Sequence, residues 1–204
     1  MIRIVGIFLV FACVHSLTVT SWFKQHCRAV CGDAFMRVWY RFLYNAASVI
    51  TAVPALYLIS QVPDQVLWRG PFWIRWPLHA VQLAGFVFGA LSFKHLDAGE
   101  FLGLRQIVRY RATKKTAGNV EGLTQRELVT DGVYGIVRHP IYFSGIIIFT
   151  FNPLVTRNGL IVSLLADVYF LSGMFIEERR FLRMFGGQYR EYMKRVPRLF
   201  PRIF

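Results

Sequence analysis

Apolar and polar stretches alternate along this chain in blocks too long for a soluble fold. Ile2 to Thr20 is apolar apart from Arg3, His15 and a few hydroxyls. That predicts a first transmembrane helix of about 20 residues. Arg3 also suits the basic start of a signal peptide, but no small-x-small cleavage site follows. Ser21 to Arg41 reads as a polar, basic connector. Trp39 to Ser60 predicts a second span, kinked by Pro54, with Asn45 and Ser48 available for bonds across helices. Residues 61–76 read as a loop whose Trp68, Trp73 and Trp76 suit a membrane interface. Pro77 to Phe93 predicts a third span, with a close-packing face of Ala80, Ala84, Gly85, Gly89 and Ala90.

The pattern then turns polar from Lys94 to Val137. Within it, His95 to Tyr110 mixes Phe101, Leu102, Leu104, Ile107 and Val108 with charges, as an amphipathic segment at the interface would. Residues 113–122 read as a flexible loop. Pro140 to Phe151 and Gly159 to Ile176 are apolar again, separated by a short break at Asn152-Pro153. Two apolar helices joined so closely predict an antiparallel hairpin. Asp167 inside its second arm is expensive in lipid and should face protein or a cavity. From Glu177 onward the chain is charged with an apolar stripe (Phe181, Leu182, Phe185), broken at Gly186-Gly187 and closed by Pro197. Alone, Glu177 and Glu178 read as the start of a helix, where carboxylates favour the dipole.

The predicted fold is therefore an all-α integral membrane protein of about five transmembrane helices, with a C-terminal helical hairpin and cytosolic amphipathic helices. It forms one membrane domain, 1–204, in three parts: 1–96, a connector 97–139, and 140–204. Composition agrees, with 55% hydrophobic residues including 19 Phe. The net charge of +13 is spread over loops rather than gathered in a nucleic-acid motif, so no nucleic-acid partner is expected. With the N-terminus outside, 20 of the 24 Lys and Arg fall on segments 21–41, 94–139 and 177–204. That is a positive-inside signature, and it faces those segments to the cytoplasm. Cys13, Cys27 and Cys31 close no disulfide framework and have no zinc-spaced companions, so no metal is expected.

The stretch Gly132 to Gly145 marks where the polar connector meets the hairpin. Pro140 belongs in a first helical turn, and the residue before it is held out of the α region. Arg138 and His139 should then occupy an extended elbow at the helix mouth, suited to an anionic group. A plain interfacial anchor explains the same residues.

Arg138-His139-Pro140-x-Tyr142, then Glu177-Glu178, then Phe-Gly-x-x-Tyr-x-x-Tyr and Val-Pro-Arg-x-x-Pro, together resemble the isoprenylcysteine carboxyl methyltransferase and phospholipid methyltransferase superfamily. The resemblance covers roughly residues 126–202. Phe101 to Gln106 and His15-Ser16-Leu17 resemble its methanethiol S-methyltransferase branch more weakly. The resemblance implies an S-adenosylmethionine-dependent enzyme without a Rossmann domain, its cofactor held by Leu128, Val129, Tyr134, Arg138, His139, Pro140 and Glu177. Two departures stand out: Phe181 occupies the leucine position after the glutamates, and Gly173 stands where some members have the Arg that holds a prenylcysteine carboxylate.

The residues make chemical sense of that reading. Arg138 or His139 suits the cofactor's carboxylate, Glu177 its ammonium or a place near its sulfonium, and Tyr142 and Phe185 its adenine. Glu178, one residue on and about 100° around a helix, should matter less. A thiol acceptor must lose its proton, and His139 or a tyrosine is a candidate to assist, with no base assigned. The acceptor that the resemblance implies is a small or lipophilic one, a thiol or an isoprenylcysteine-type carboxylate, and the bilayer is the other partner. Two further readings stand beside this one: an NADPH-dependent membrane reductase, and a non-catalytic haem or nitric-oxide-related membrane protein, for which His79 and His95 are the conceivable ligands.

Overall fold

A computed structural model describes residues 1–94, 97–116 and 128–201. His95 and most of the loop read over 113–122 lie outside the described residues. The ten helices found there are α1 (Ile2–Val19), α2 (Ser21–Val38), α3 (Tyr40–Ser60), α4 (Phe72–Ser92), α5 (Ala98–Phe101), α6 (Leu104–Thr113), α7 (Val133–Ile136), α8 (Pro140–Thr150), α9 (Arg157–Phe185) and α10 (Gly187–Arg195). Two short strands, β1 (Val66–Arg69) and β2 (Leu154–Thr156), complete it.

Among the described residues three helices, α1, α3 and α9, are long and apolar enough to cross a membrane. Large apolar side chains such as Val49, Ile50, Val53 and Leu56 on α3, and Leu164 and Val168 on α9, are exposed. Exposed apolar surface on that scale calls for lipid. The other two expected spans form as helices of different character. α4 has 21 residues but carries Arg75, His79 and Gln82, and α8 is apolar but has only 11 residues.

The chain forms two compact units. One comprises residues 2–62 and 96–126; the other comprises 63–95 and 127–204, with Met1. In the first, α1 packs on α3 and α2 packs on α3 and α6. The expected basic connector at 21–41 is helical instead, with a kink at Gly32 (φ 82°). Thr20 caps it by accepting a bond from Phe23 N (3.2 Å), and Phe23, Cys27, Phe35 and Tyr44 surround the buried pair Met36 and Tyr40. Those apolar residues recur at helical spacing, a signal that the basic residues between them conceal. His15 joins α1 to α3, with Nδ1 2.9 Å from Ser48 Oγ and Nε2 2.7 Å from Tyr44 Oη. Asn45 donates to Phe101 O at 3.0 Å.

In the second unit, α8 packs between α4 and α9. The small-residue face expected on α4 explains how closely. A Cβ at Gly85 would come within 2.7 Å of Ile147 Cγ2, and one at Gly89 within 2.8 Å of Ser144 Oγ. The third apolar segment thus belongs with the C-terminal hairpin rather than with the two segments before it. Asp167 accepts a bond from Thr150 Oγ1 at 3.0 Å, so it faces the other arm of the hairpin. The loops on either side supply the unexpected strands, with Val66 opposite Thr156 and Arg69 opposite Leu154 in an antiparallel pair. Val, Leu, Thr and Trp at these positions favour that pairing.

Candidate functional site

The site is built at the elbow before α8. Pro140 is the first residue of α8, and His139 before it takes an extended φ of −126°, as the steric demand of the proline ring requires. Arg138 N donates to Pro197 O at 2.9 Å, tying the elbow to the segment after α10.

Glu177 and Glu178 do not begin a helix; they lie deep inside α9, which runs without a break to Gly186. Nothing between Asn158 and Phe185 stops it, because neither proline nor a left-handed glycine intervenes. Adjacent positions on that helix point to different surroundings. Glu178 is buried and its side chain is the hub of the site. It accepts Arg138 Nε at 3.0 Å, Arg138 Nη2 at 2.5 Å, His139 Nε2 at 3.4 Å and Arg198 Nη2 at 2.9 Å. Arg138 Nη1 donates to Val196 O (2.7 Å) and Met193 O (3.1 Å), so every nitrogen of that guanidinium is engaged. Glu177 is more open, with about a quarter of its side chain exposed. It meets His139 Nδ1 at 3.5 Å, Arg180 Nη2 at 3.2 Å and the hydroxyl of Tyr142.

His139 therefore sits between two carboxylates, its own side chain 1% exposed. Burial works against protonating the ring, yet bonds and charge from Glu177 and Glu178 prevail and raise its pKa. Tyr134, on α7, shifts upward for a different reason: burial first, then the charge of Glu177. It remains a neutral donor.

The remaining expected residues form the surround. Leu128 packs against Tyr189, Tyr192 and Val196 with Phe181, Leu182, Phe185 and Met193, so Phe185 faces this cluster of aromatic and aliphatic side chains. Val129 follows Leu128 half-buried. Tyr192 Oη donates to Tyr134 O at 2.6 Å, linking α10 to α7. Tyr142 lies edge-on to His139 (centroids 5.7 Å) and rests on Gly173, whose missing Cβ would stand 3.2 Å from Tyr142 Cε1.

Sequence reasoning missed two participants. Glu178 was expected to matter less than Glu177, yet it carries most of the contacts. Arg198 stood in the Val-Pro-Arg motif without a role; its guanidinium also stacks over Phe175 at 4.8 Å. Of the histidines considered for haem, His79 is exposed and bonds Gln82 on its own helix at 3.0 Å.

The family model for phospholipid methyltransferase matches residues 98–188. Methanethiol S-methyltransferase 2 of Bradyrhizobium diazoefficiens is 30% identical over 93% of this chain and 73% of its own length. The methanethiol S-methyltransferase of Pseudomonas deceptionensis is 28% identical over 95% and 70%. The protein-S-isoprenylcysteine O-methyltransferase of Schizosaccharomyces pombe is 26% identical over 64% and 56%. No solved structure matches. A helical membrane protein with a charged cluster at the end of its hairpin thus falls into a class of known enzymes, the membrane methyltransferases. The chain belongs to the phospholipid and isoprenylcysteine methyltransferase superfamily, alongside the methanethiol S-methyltransferases.

Proposed function

We propose that the protein uses S-adenosylmethionine to methylate a small or lipophilic thiol, with an isoprenylcysteine-type carboxylate as the second acceptor class. The observation that carries this is the elbow itself, where His139, Glu177 and two tyrosines converge inside the region matched by the family model. The names of the relatives favour the thiol.

The residues present fit the cofactor. Arg198 Nε is buried and has no hydrogen-bond partner among the described residues, so one cationic donor is left over for a carboxylate. Glu177 is about a quarter exposed, which leaves its carboxylate within reach of an ammonium. In this reading Glu177, His139, Tyr134 and Tyr142 line the cofactor's amino-acid head. Arg138 and Pro140 act by holding the elbow, since Arg138 is fully engaged by Glu178 and two carbonyls. Leu128, Val129 and Phe185 supply apolar surface. The cofactor supplies an electrophilic methyl group on a sulfonium; the protein contributes position and a cluster of charged side chains.

We further infer five spans with the N-terminus outside, counting α4 and the short α8, which faces the elbow to the cytoplasm. A cysteine placed at Arg157 should then label from outside and one placed at Lys115 should not. Function is tested by calorimetry of the detergent-solubilised protein with S-adenosylmethionine and with NADPH, followed by methyl transfer to alkanethiols. Binding of S-adenosylmethionine with thioether formation supports the proposal. Binding of NADPH alone would replace it with the reductase.

A further inference from the structure

The elbow holds a histidine in the position where a general base is expected, yet its surroundings suit the opposite role. Glu178 Oε1 lies 3.4 Å from Nε2 and Glu177 Oε2 lies 3.5 Å from Nδ1. A base needs a lone pair free to take a proton. A ring flanked by an acid at each nitrogen has both nitrogens acting as donors. Resting on the methyltransferase reading above, we infer that His139 is a fixed cation rather than a base, and that the acceptor enters this site already ionised, as a thiolate.

Each charged or titratable neighbour supports this. Arg138 on the elbow and Arg198 on the C-terminal segment both pair with Glu178, and Arg180 on α9 pairs with Glu177. Three guanidiniums and one imidazolium thus face two carboxylates. That surplus of positive charge favours a thiolate over a thiol. The hydroxyls of Tyr134 on α7 and of Tyr189 and Tyr192 on α10 are shifted upward, burial being the largest cause for each, so they keep their protons. Tyr142 on α8 spends its hydroxyl on Glu177. Glu177 and Glu178 are flanked by cations, and an ordinary carboxylate is far too weak a base for a thiol, with pKa values of about 4.3 against about 8.5. The His139 pKa is moved in the direction the geometry requires.

The step balances without a protein base. The thiol gives its proton to water before binding. Its sulfur then forms a bond to the methyl carbon as the carbon–sulfur bond of the sulfonium breaks. That bonding pair returns to the donor's sulfur, so both products, a thioether and S-adenosylhomocysteine, leave with no charge on sulfur.

The test has two arms on the full chain in detergent. In the first, nitrogen NMR of histidine-labelled protein without cofactor reads the His139 ring, identified by the resonance lost in His139→Gln. The ring should remain protonated on both nitrogens at pH values above the ordinary histidine midpoint of ~6.5; a ring already neutral at that midpoint overturns the inference. In the second, kcat/KM is followed against pH for a series of thiols of graded acidity. Its midpoint should move one-for-one with each thiol's own pKa. His139→Gln should lower the whole profile by roughly tenfold without shifting it, against the order of 10²–10⁴-fold that loss of a general base brings. One fixed midpoint shared by every thiol would mean a protein base and overturn the inference alone. No transfer to any thiol would overturn it together with the function proposed above.

Discussion

Each of the two compact units is stapled by a histidine, and the two histidines meet different partners. His15 bridges α1 and α3 through the hydroxyls of Tyr44 and Ser48 and stacks on Phe11 at 5.7 Å. His139 bridges the elbow and α9 through two carboxylates. Hydroxyls satisfy an imidazole whichever nitrogen carries the proton, so the first cluster is a cross-helix clasp that needs no charge. Carboxylates stabilise the imidazolium, so the second stores charge in a buried place, which a fold does only at some cost. A cost of that kind, met where the family model also matches, separates a site from a clasp.

The sharpest way to break the comparison is to remove the acid at the hub. Glu178→Gln leaves the buried Arg138 guanidinium with two carbonyls and no counter-ion. Loss of one partner of a buried pair costs on the order of 3–5 kcal/mol, read as a large fall in thermal stability in detergent. A fall no larger than that of the exposed control Glu191→Gln would show that the hub does not hold the elbow. Next comes Gly173→Val. The new side chain must displace Tyr142, which stands 3.2 Å from the first added carbon, at a cost of about 1–3 kcal/mol. It should also weaken cofactor binding, because Tyr142 leaves Glu177. His15→Phe keeps the stacking and removes the nitrogens; it should cost about 1 kcal/mol of stability and leave cofactor affinity unchanged.

The smallest effect is that of pH. The folded-state pKa of His139 is raised, so its stabilisation is fully present below the unfolded value of ~6.5 and is lost as pH rises through the folded value. Thermal stability should therefore decline gently above pH ~6.5, and His139→Gln should remove that part of the slope. An identical slope in the variant would assign it to other groups.

Much of the fold was readable because lipid imposes long apolar blocks and because Pro140 fixes its own place at a helix start. The elbow was readable for the same reason. What the sequence withheld depends on helix phase and on distant pairing. Glu177 and Glu178 are adjacent, and only the rotation of an unbroken α9 decides which of them turns inward; an assumed helix start at Glu177 hides that rotation. Arg198 reaches Glu178 from beyond α10, a contact no local pattern encodes. The strands at Val66–Arg69 and Leu154–Thr156 are too short to announce themselves without their partners. At 21–41, regularly spaced basic residues outweighed the apolar period around Met36 and Tyr40.

The central claim is that the two neighbouring glutamates divide the work, with Glu178 holding the elbow and Glu177 holding the cofactor. Calorimetric titration of S-adenosylmethionine into wild-type protein and Glu177→Gln tests it most directly. The substitution keeps the shape and removes the charge at a half-open position, so the fold should survive while affinity falls by about 1.5–3 kcal/mol, the range for a charged hydrogen bond. Unchanged affinity in a folded Glu177→Gln protein would contradict the account and reduce the elbow to an interfacial anchor.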